Sequence, residues 1–153
     1  MIIYRLAIEA FKDDLSGIGS KMYGGRWNVP GHAAIYTSEN ISLAVLEILV
    51  NADKNNIPPT YHLLQLNIPD NLPIKIIKPD TLKDKWYSDF EYAQFIGTKF
   101  LESETEAILK VPSAIVKQEY NFLLNPLHSD FKKVSIKDSS AFDLDIRLLK
   151  THE

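Results

Sequence analysis

Two charged side chains with unusual neighbours lie in the first third of the chain. Arg26 directly follows the pair Gly24-Gly25, and Glu47 is the one charge in the apolar segment 41–50. Glycines allow a tight turn or the close approach of a ligand, so the Arg26 guanidinium would be held where it suits phosphate oxygens. The segment 41–50 predicts a helix buried on most faces. An unpaired carboxylate is costly to bury, so Glu47 requires a ligand or a nearby arginine.

Each feature also has an ordinary structural explanation. The glycine pair could form a tight turn and nothing more. Arg26 could belong to a structural ion pair, and Glu47 could lie half-exposed on a helix that is less buried than its composition indicates. Charged side chains are seldom buried without a partner, however. The order and close spacing of the three features therefore favour a functional site.

Length, composition and charge limit the possible functions. The 153 residues are enough for one domain with a real core, and 45% hydrophobic with 24% charged residues is typical of globular proteins. A net charge of −3 indicates no basic surface, so we expect no direct contact with nucleic acid. With no cysteine there is no disulfide or thiolate nucleophile, and the 4 histidines never fall at metal-ligand spacing. We predict that no metal is bound.

The N-terminal residues lack the charged and apolar regions of a secretory signal. No apolar run reaches the roughly 18 residues that a membrane span needs. The sequence therefore predicts a cytoplasmic protein without a membrane association.

Short apolar segments separated by turn residues predict one mixed α+β domain over residues 1–153, without repeats or a linker. The predicted strands are 2–8, a short strand ending at 35–36, 61–68, 74–77, 107–111, 133–136 and 142–149. The predicted helices are 41–50 and 91–101, with one or two helical turns in 81–86 and a loop over 11–21. The segment 119–124 leads into Asn125-Pro126, a turn signal. Ser113 falls just past a strand end, a common place for site residues. Arg5 in the first strand is either a solvated charge or a second phosphate contact.

The sequence also resembles a known family, the RES domain toxins of bacterial toxin–antitoxin pairs. The resemblance is carried by Gly-Gly-Arg-Trp-Asn at 24–28, Pro30-Gly31, a strand ending in Tyr36, the Ala-x-x-Glu helix at 44–47, Val111-Pro112-Ser113 and Asn125-Pro126. It extends over nearly the whole chain. The arginine, glutamate and serine that name the family correspond to Arg26, Glu47 and Ser113. The resemblance implies an ADP-ribosyltransferase-like fold and the degradation of NAD.

NAD would then be a substrate, not a redox cofactor, and no Gly-x-Gly-x-x-Gly opens a helix after a strand. Breaking the nicotinamide–ribose bond passes through an oxocarbenium-like state, which the Glu47 carboxylate would stabilise. Arg26 would bind the diphosphate, Tyr36 would stack on nicotinamide, and Ser113 would orient Glu47 or bind the ribose. The further residues expected to contact NAD are Arg5, Gly25, Trp27, Asn28 and Asn125.

Three functions remain open at this point. Cleavage of NAD with transfer to water or phosphate is the first, and ADP-ribosyl transfer to a macromolecule shares its bond-breaking step. A non-catalytic binding module is the third, although it has little use for a carboxylate such as Glu47 in an apolar helix. The resemblance also implies an antitoxin partner with a helix-turn-helix DNA-binding part, because unrestrained loss of NAD would harm the producing cell. It is consistent with a homodimer.

Overall fold

One mixed sheet forms the centre of the molecule. The structure is a computed structural model that describes residues 1–53, 55–58 and 60–150. Its strands are β1 Ile2–Ile8, β2 Ile35–Ser38, β3 Thr60–Asn67, β4 Ile74–Ile76, β5 Ile108–Pro112, β6 Tyr120–Leu124 and β7 Ser135–Asp143; its helices are α1 Ile18–Tyr23, α2 Ile41–Asn51 and α3 Phe90–Ser103. The 7 strands lie in the order β4-β5-β6-β2-β1-β3-β7. Neighbours are antiparallel except for the parallel pair of β4 and β5.

Both faces of this sheet are covered, because side chains alternate along each strand and both sets are largely apolar. We call one side the helix face; it carries Tyr4, Tyr36, Ser38 and Leu123, and α2 and α3 pack against it. The opposite face carries a second core. That core includes Ile3, Ile35, Leu64, Leu66, Phe122 and Leu124, with Leu72 and Val134 packed over them. The site residues are therefore positioned by the helix face.

The prediction that α2 is buried on most faces is wrong. The helix begins at Ile41, as expected, where the Asn40 side chain accepts the N–H of Leu43 at 2.7 Å. Across this fully described helix, Leu43 and Ala44 are the buried residues, whereas Val50 is 64% exposed. One side of α2 lies on the sheet and the other faces solvent, so Glu47 is half-buried at the boundary.

Two other stretches differ from the predictions. The predicted loop over 11–21 contains the start of α1, a six-residue helix between Gly17 and Gly24, which is too short for a clear periodic pattern. The two strands predicted near the C-terminus are one strand, β7, followed by a 3-10 turn at Ile146–Leu149. Because β7 is an exposed edge strand, little of it is apolar, and its limits were hard to read from the sequence.

Smaller differences concern element limits and turns. Ile35 and Tyr36 begin β2 instead of ending it. The segment predicted to contain helical turns has two 3-10 turns at its flanks, Pro79–Thr81 and Trp86–Ser88. Within the described residues, none of the helices combines the length and hydrophobicity needed to cross a bilayer.

Helix α3 lies directly against the loop that carries Arg26. Gly97 is the point of contact, because a Cβ atom there would overlap the backbone carbonyl of Trp27. The Trp27 ring packs on Trp86 with a centroid separation of 5.5 Å. A side chain at position 97 would push the helix away from this loop.

We therefore expect Gly97→Ala to lower the free energy of unfolding by at least about 2 kcal/mol, since overpacking outweighs the gain in helix propensity. A domain of this size should melt several degrees lower, at roughly 2–4 °C per kcal/mol. Gly19→Ala is the matched control: it also lies in a helix, but its Cβ would meet nothing within 4 Å. Thermal melting of both variants tests the contact between Gly97 and the backbone of Trp27. A Gly97→Ala protein as stable as Gly19→Ala would contradict it.

Candidate active site

Two neutral donors hold the Glu47 carboxylate. Its Oε1 accepts a hydrogen bond from Asn121 Nδ2 at 2.5 Å and another from Ser113 Oγ at 3.1 Å. Among the described residues, Oε2 accepts no hydrogen bond and no cation lies within 4.0 Å of the carboxylate. Of the two expected partners, a ligand or an arginine, the arginine is absent from the described residues; an amide and a hydroxyl fix the carboxylate without neutralising it.

Ser113 lies immediately after β5, as the sequence predicted, and it is fully buried. Its Oγ accepts the backbone N–H groups of Ile115 and Val116 at 3.0 and 3.1 Å. A hydroxyl has a single hydrogen to donate, and with its lone pairs taken by these two groups that hydrogen is directed to Glu47. The turn after β5 therefore orients Ser113, and Ser113 orients the carboxylate.

Asn121 is the site residue that sequence reasoning missed. It lies on β6 opposite Ser38 of β2, whose Oγ donates to Asn121 Oδ1 at 2.7 Å. Because that bond occupies the amide oxygen, the amide nitrogen faces Glu47. The one signal in the sequence was an asparagine in the segment 119–124, two residues before Leu123, which the structure places on the same face of the sheet.

Tyr36 supports the loop that carries Arg26. Its hydroxyl accepts the N–H of Trp27 at 2.9 Å and donates to Asn28 Oδ1 at 2.6 Å. A Cβ at Gly25 would come within 2.5 Å of this hydroxyl, so the close approach requires glycine. Burial raises the pKa of the Tyr36 phenol, and the hydroxyl therefore stays a donor at neutral pH. The ring was predicted to stack on nicotinamide; the structure shows its hydroxyl engaged with the loop.

Trp27, Asn28 and Asn125 were predicted to contact NAD, but the structure places all three in the interior. They are 2%, 0% and 2% exposed, respectively. Asn28 Nδ2 donates to the carbonyls of Ser20 and His32, both at 2.9 Å. Asn125 Nδ2 donates to a carbonyl near the end of α3 at 3.1 Å. These residues hold the loops in place and present no surface to a ligand.

Arg26 is not part of a structural ion pair in the described structure, where no carboxylate lies within 4.0 Å of it. Its Nη1 donates to the carbonyl oxygen of Tyr87 at 3.2 Å, and its guanidinium lies 5.4 Å from the ring centroid of Phe90. The Arg26 charge acts on the Tyr36 pKa in the opposite direction to burial. This cation can accept an anionic ligand.

Arg5 does not join the other predicted site residues. Its neighbour Tyr4 pairs with Ser38 and is on the helix face, so alternation directs Arg5 to the opposite face. There Arg5 Nη1 donates to the carbonyl oxygen of Asp14 at 2.6 Å. Burial lowers the pKa of Arg5, and the charge of Asp14 acts in the other direction. The structure thus separates Arg5 from Glu47 by the thickness of the sheet.

With this geometry described, comparison with known proteins identifies the family. The model of the RES domain matches residues 2–146. The chain belongs to the RES domain family. It is similar to "Toxin Res" of Yersinia enterocolitica, with 39% identity over 152 residues that cover 97% of this chain and 99% of the relative. It is also similar to the "Prs ADP-ribosylating toxin" of a Sphingobium species, with 34% identity over 156 residues and 96% of each chain covered.

Among solved structures, this RES domain resembles a chain of the M. tuberculosis MbcT–MbcA toxin–antitoxin complex. The TM-score is 0.76 at 22% identity, over 97% of this chain and 86% of the other. The expected fold, a single mixed α+β domain, is thereby confirmed.

The two charged groups of the RES domain are held on the same face of the sheet. Tyr36 and Ser38 are alternate residues of β2, so their side chains emerge about 7 Å apart on one side. Tyr36 holds the loop of Arg26, and Ser38 is linked to Glu47 through Asn121. On one face of the sheet, β2 therefore supports the cation through Tyr36 and the carboxylate through Ser38.

We expect Tyr36→Phe to lower the free energy of unfolding by about 1–3 kcal/mol, because it leaves the Trp27 N–H and Asn28 Oδ1 without their buried partner while retaining the ring. Tyr23→Phe is the matched control, since Tyr23 is 80% exposed. Chemical denaturation of the two variants measures the difference. Equal stabilities would show that the hydroxyl does not support the loop.

Proposed function

We propose that this chain is the toxin of a bacterial toxin–antitoxin pair and that it breaks the nicotinamide–ribose bond of NAD. The observation that carries the proposal is the Glu47 carboxylate, which neutral donors fix through Oε1 while Oε2 has no protein partner in the described structure. Arg26 has no carboxylate partner in the described structure, and Tyr36 of the same sheet face holds its loop. Few structural roles call for both groups together.

The carboxylate suits the bond-breaking step. As nicotinamide leaves, positive charge develops on the ribose ring, and a fixed negative group nearby stabilises that state. Asn121 and Ser113 hold the carboxylate without cancelling its charge. Because both hydrogen bonds go to Oε1, Oε2 is the oxygen available to the ribose.

Arg26 suits the other half of the substrate. Its guanidinium can contact diphosphate oxygens with two parallel hydrogen bonds. The Tyr36 hydroxyl binds the two residues that follow Arg26, through the Trp27 N–H and Asn28 Oδ1, which keeps the cation in place. The half-buried Tyr36 ring remains our candidate for the contact with nicotinamide.

The group that accepts the ADP-ribosyl unit defines two versions of this function. Water or phosphate would make the chain an NAD glycohydrolase or phosphorylase. A macromolecular acceptor would make it an ADP-ribosyltransferase, and the name of the Sphingobium relative, an ADP-ribosylating toxin, favours that alternative. In both versions the same bond of NAD breaks, and Glu47 has the same role. A non-catalytic binding module does not account for the oriented carboxylate.

We also propose an antitoxin partner that restrains the activity in the cytoplasm of the producing cell. The structural neighbour is itself part of a toxin–antitoxin complex. We expect the antitoxin to carry a helix-turn-helix part and to make any contact with DNA, since the net charge of this chain is −3. Association of two copies of the chain is compatible with this arrangement.

Glu47→Gln tests the proposed role of the carboxylate. Glutamine retains an oxygen that can accept from Asn121 and Ser113, so the fold should be unchanged. The missing charge acts mainly in the transition state, so kcat should fall roughly 10²–10³-fold with little change in KM. Glu104→Gln, at an exposed position, is the matched control. Normal turnover by a folded Glu47→Gln protein would remove Glu47 from the chemistry.

The acceptor is tested by incubating purified chain with NAD alone, with phosphate, and with cell extract. Release of nicotinamide with ADP-ribose indicates water, release with a phosphorylated ADP-ribose indicates phosphate, and a labelled macromolecule indicates transfer. If folded protein at micromolar concentration leaves NAD intact in all three mixtures, the proposed function is wrong.

A further inference from the structure

A second cation contacts the same tyrosine as Arg26 does. The Lys117 ammonium lies 3.4 Å from the centroid of the Tyr87 ring, and Arg26 Nη1 donates to the Tyr87 carbonyl oxygen at 3.2 Å. In the described part of the chain, neither cation has a carboxylate within 4.0 Å. By contrast, Lys83 is paired with Asp89. Two uncompensated charges therefore flank Tyr87.

The tyrosine between them is firmly held. It belongs to the 3-10 turn Trp86–Ser88, which is entered through Lys85 with φ 54°, a conformation that side-chain-bearing residues seldom adopt. Trp86 is buried, and its ring meets the Tyr87 ring edge-on with centroids 6.0 Å apart. The buried tryptophan maintains the unusual turn, so Tyr87 is a fixed support for both cations.

The loop that carries Lys117 is the loop that orients Glu47. Ser113 N–H donates to the carbonyl of Glu119 at 2.8 Å, which closes the segment, and Ser113 Oγ donates to the carboxylate of Glu47. Lys117 is exposed within this closed loop, four residues after Ser113. Four residues span at most about 14 Å when extended, and the folded loop is shorter. The second cation is therefore near the proposed site of bond cleavage.

We propose that Arg26 and Lys117 together form a subsite for a diphosphate group, with Tyr87 as the residue that supports both cations. A diphosphate has two charged groups, and one guanidinium with one ammonium can contact both. Lys117 is exposed, so its flexible side chain is free to turn from the ring toward a phosphate oxygen. This proposal rests on the proposed function, because the diphosphate would be that of NAD. It assigns Lys117 and Tyr87 to the binding of the diphosphate.

ADP-ribose is the probe for this subsite, because it contains the diphosphate but not nicotinamide. Calorimetric titration should give Lys117→Gln a Kd about five- to tenfold higher than wild type, as expected for the loss of one charged contact. Lys117→Arg, which keeps the charge, should retain most of the binding. Lys137→Gln, at an exposed position on β7, is the matched control and should bind like wild type. The difference should shrink as salt is raised.

Measurements of NAD turnover distinguish a failure of the diphosphate subsite from a failure of the proposed function. If NAD is cleaved, Lys117→Gln should raise KM by a similar factor and leave kcat unchanged, because the diphosphate is bound equally in the substrate and in the transition state. If ADP-ribose binding depends on Lys117 while NAD stays intact, the proposed function fails and the subsite stands. If NAD is cleaved and Lys117→Gln changes neither KM nor Kd, the subsite is wrong. It is also wrong if folded wild-type protein does not bind ADP-ribose.

Discussion

The geometry of the site depends on how one carboxylate is held. Glu47 projects from α2 toward a sheet that offers it an amide and a hydroxyl instead of a cation. An arginine partner would have satisfied the charge and also cancelled much of its field at a substrate. Neutral donors orient the carboxylate and reduce its negative electrostatic field less than a cation would. A field of this kind stabilises a positively charged transition state. The rest of the arrangement keeps those two donors in place.

The sheet register provides this support. Ser38 and Asn121 lie opposite each other on antiparallel strands, so their hydrogen bond fixes the amide that faces Glu47. Two residues earlier on β2, Tyr36 fixes the loop of Arg26. The charged groups that we assign to NAD thus lie on a loop and on a helix, both partly exposed, while polar groups of the sheet determine their positions. Disruption of β2 should affect both halves of the site together.

Local patterns in the sequence predicted the limits of β1, α2 and α3 and the position of Ser113 after a strand. They could not predict how α2 is covered, because apolar residues such as Val50 face solvent and composition does not reveal that. Asn121 was missed because its partners Ser38 and Glu47 lie 83 and 74 residues away, and only the register brings them together. A motif can mark a residue such as Asn28 without revealing that its side chain is buried.

The central claim is that the ribose of NAD binds at Oε2 of the Glu47 carboxylate, the oxygen without a protein partner in the described structure. The most direct test is a crystal structure of the Glu47→Gln variant soaked briefly with NAD and frozen, since slowed turnover should leave the bond intact in that time. We expect the ribose carbon that bears nicotinamide to lie about 3–3.5 Å from the glutamine atom that takes the place of Glu47 Oε2, as in a reactive arrangement. The diphosphate should contact Arg26. A dinucleotide bound with its nicotinamide ribose away from residue 47 would contradict the account.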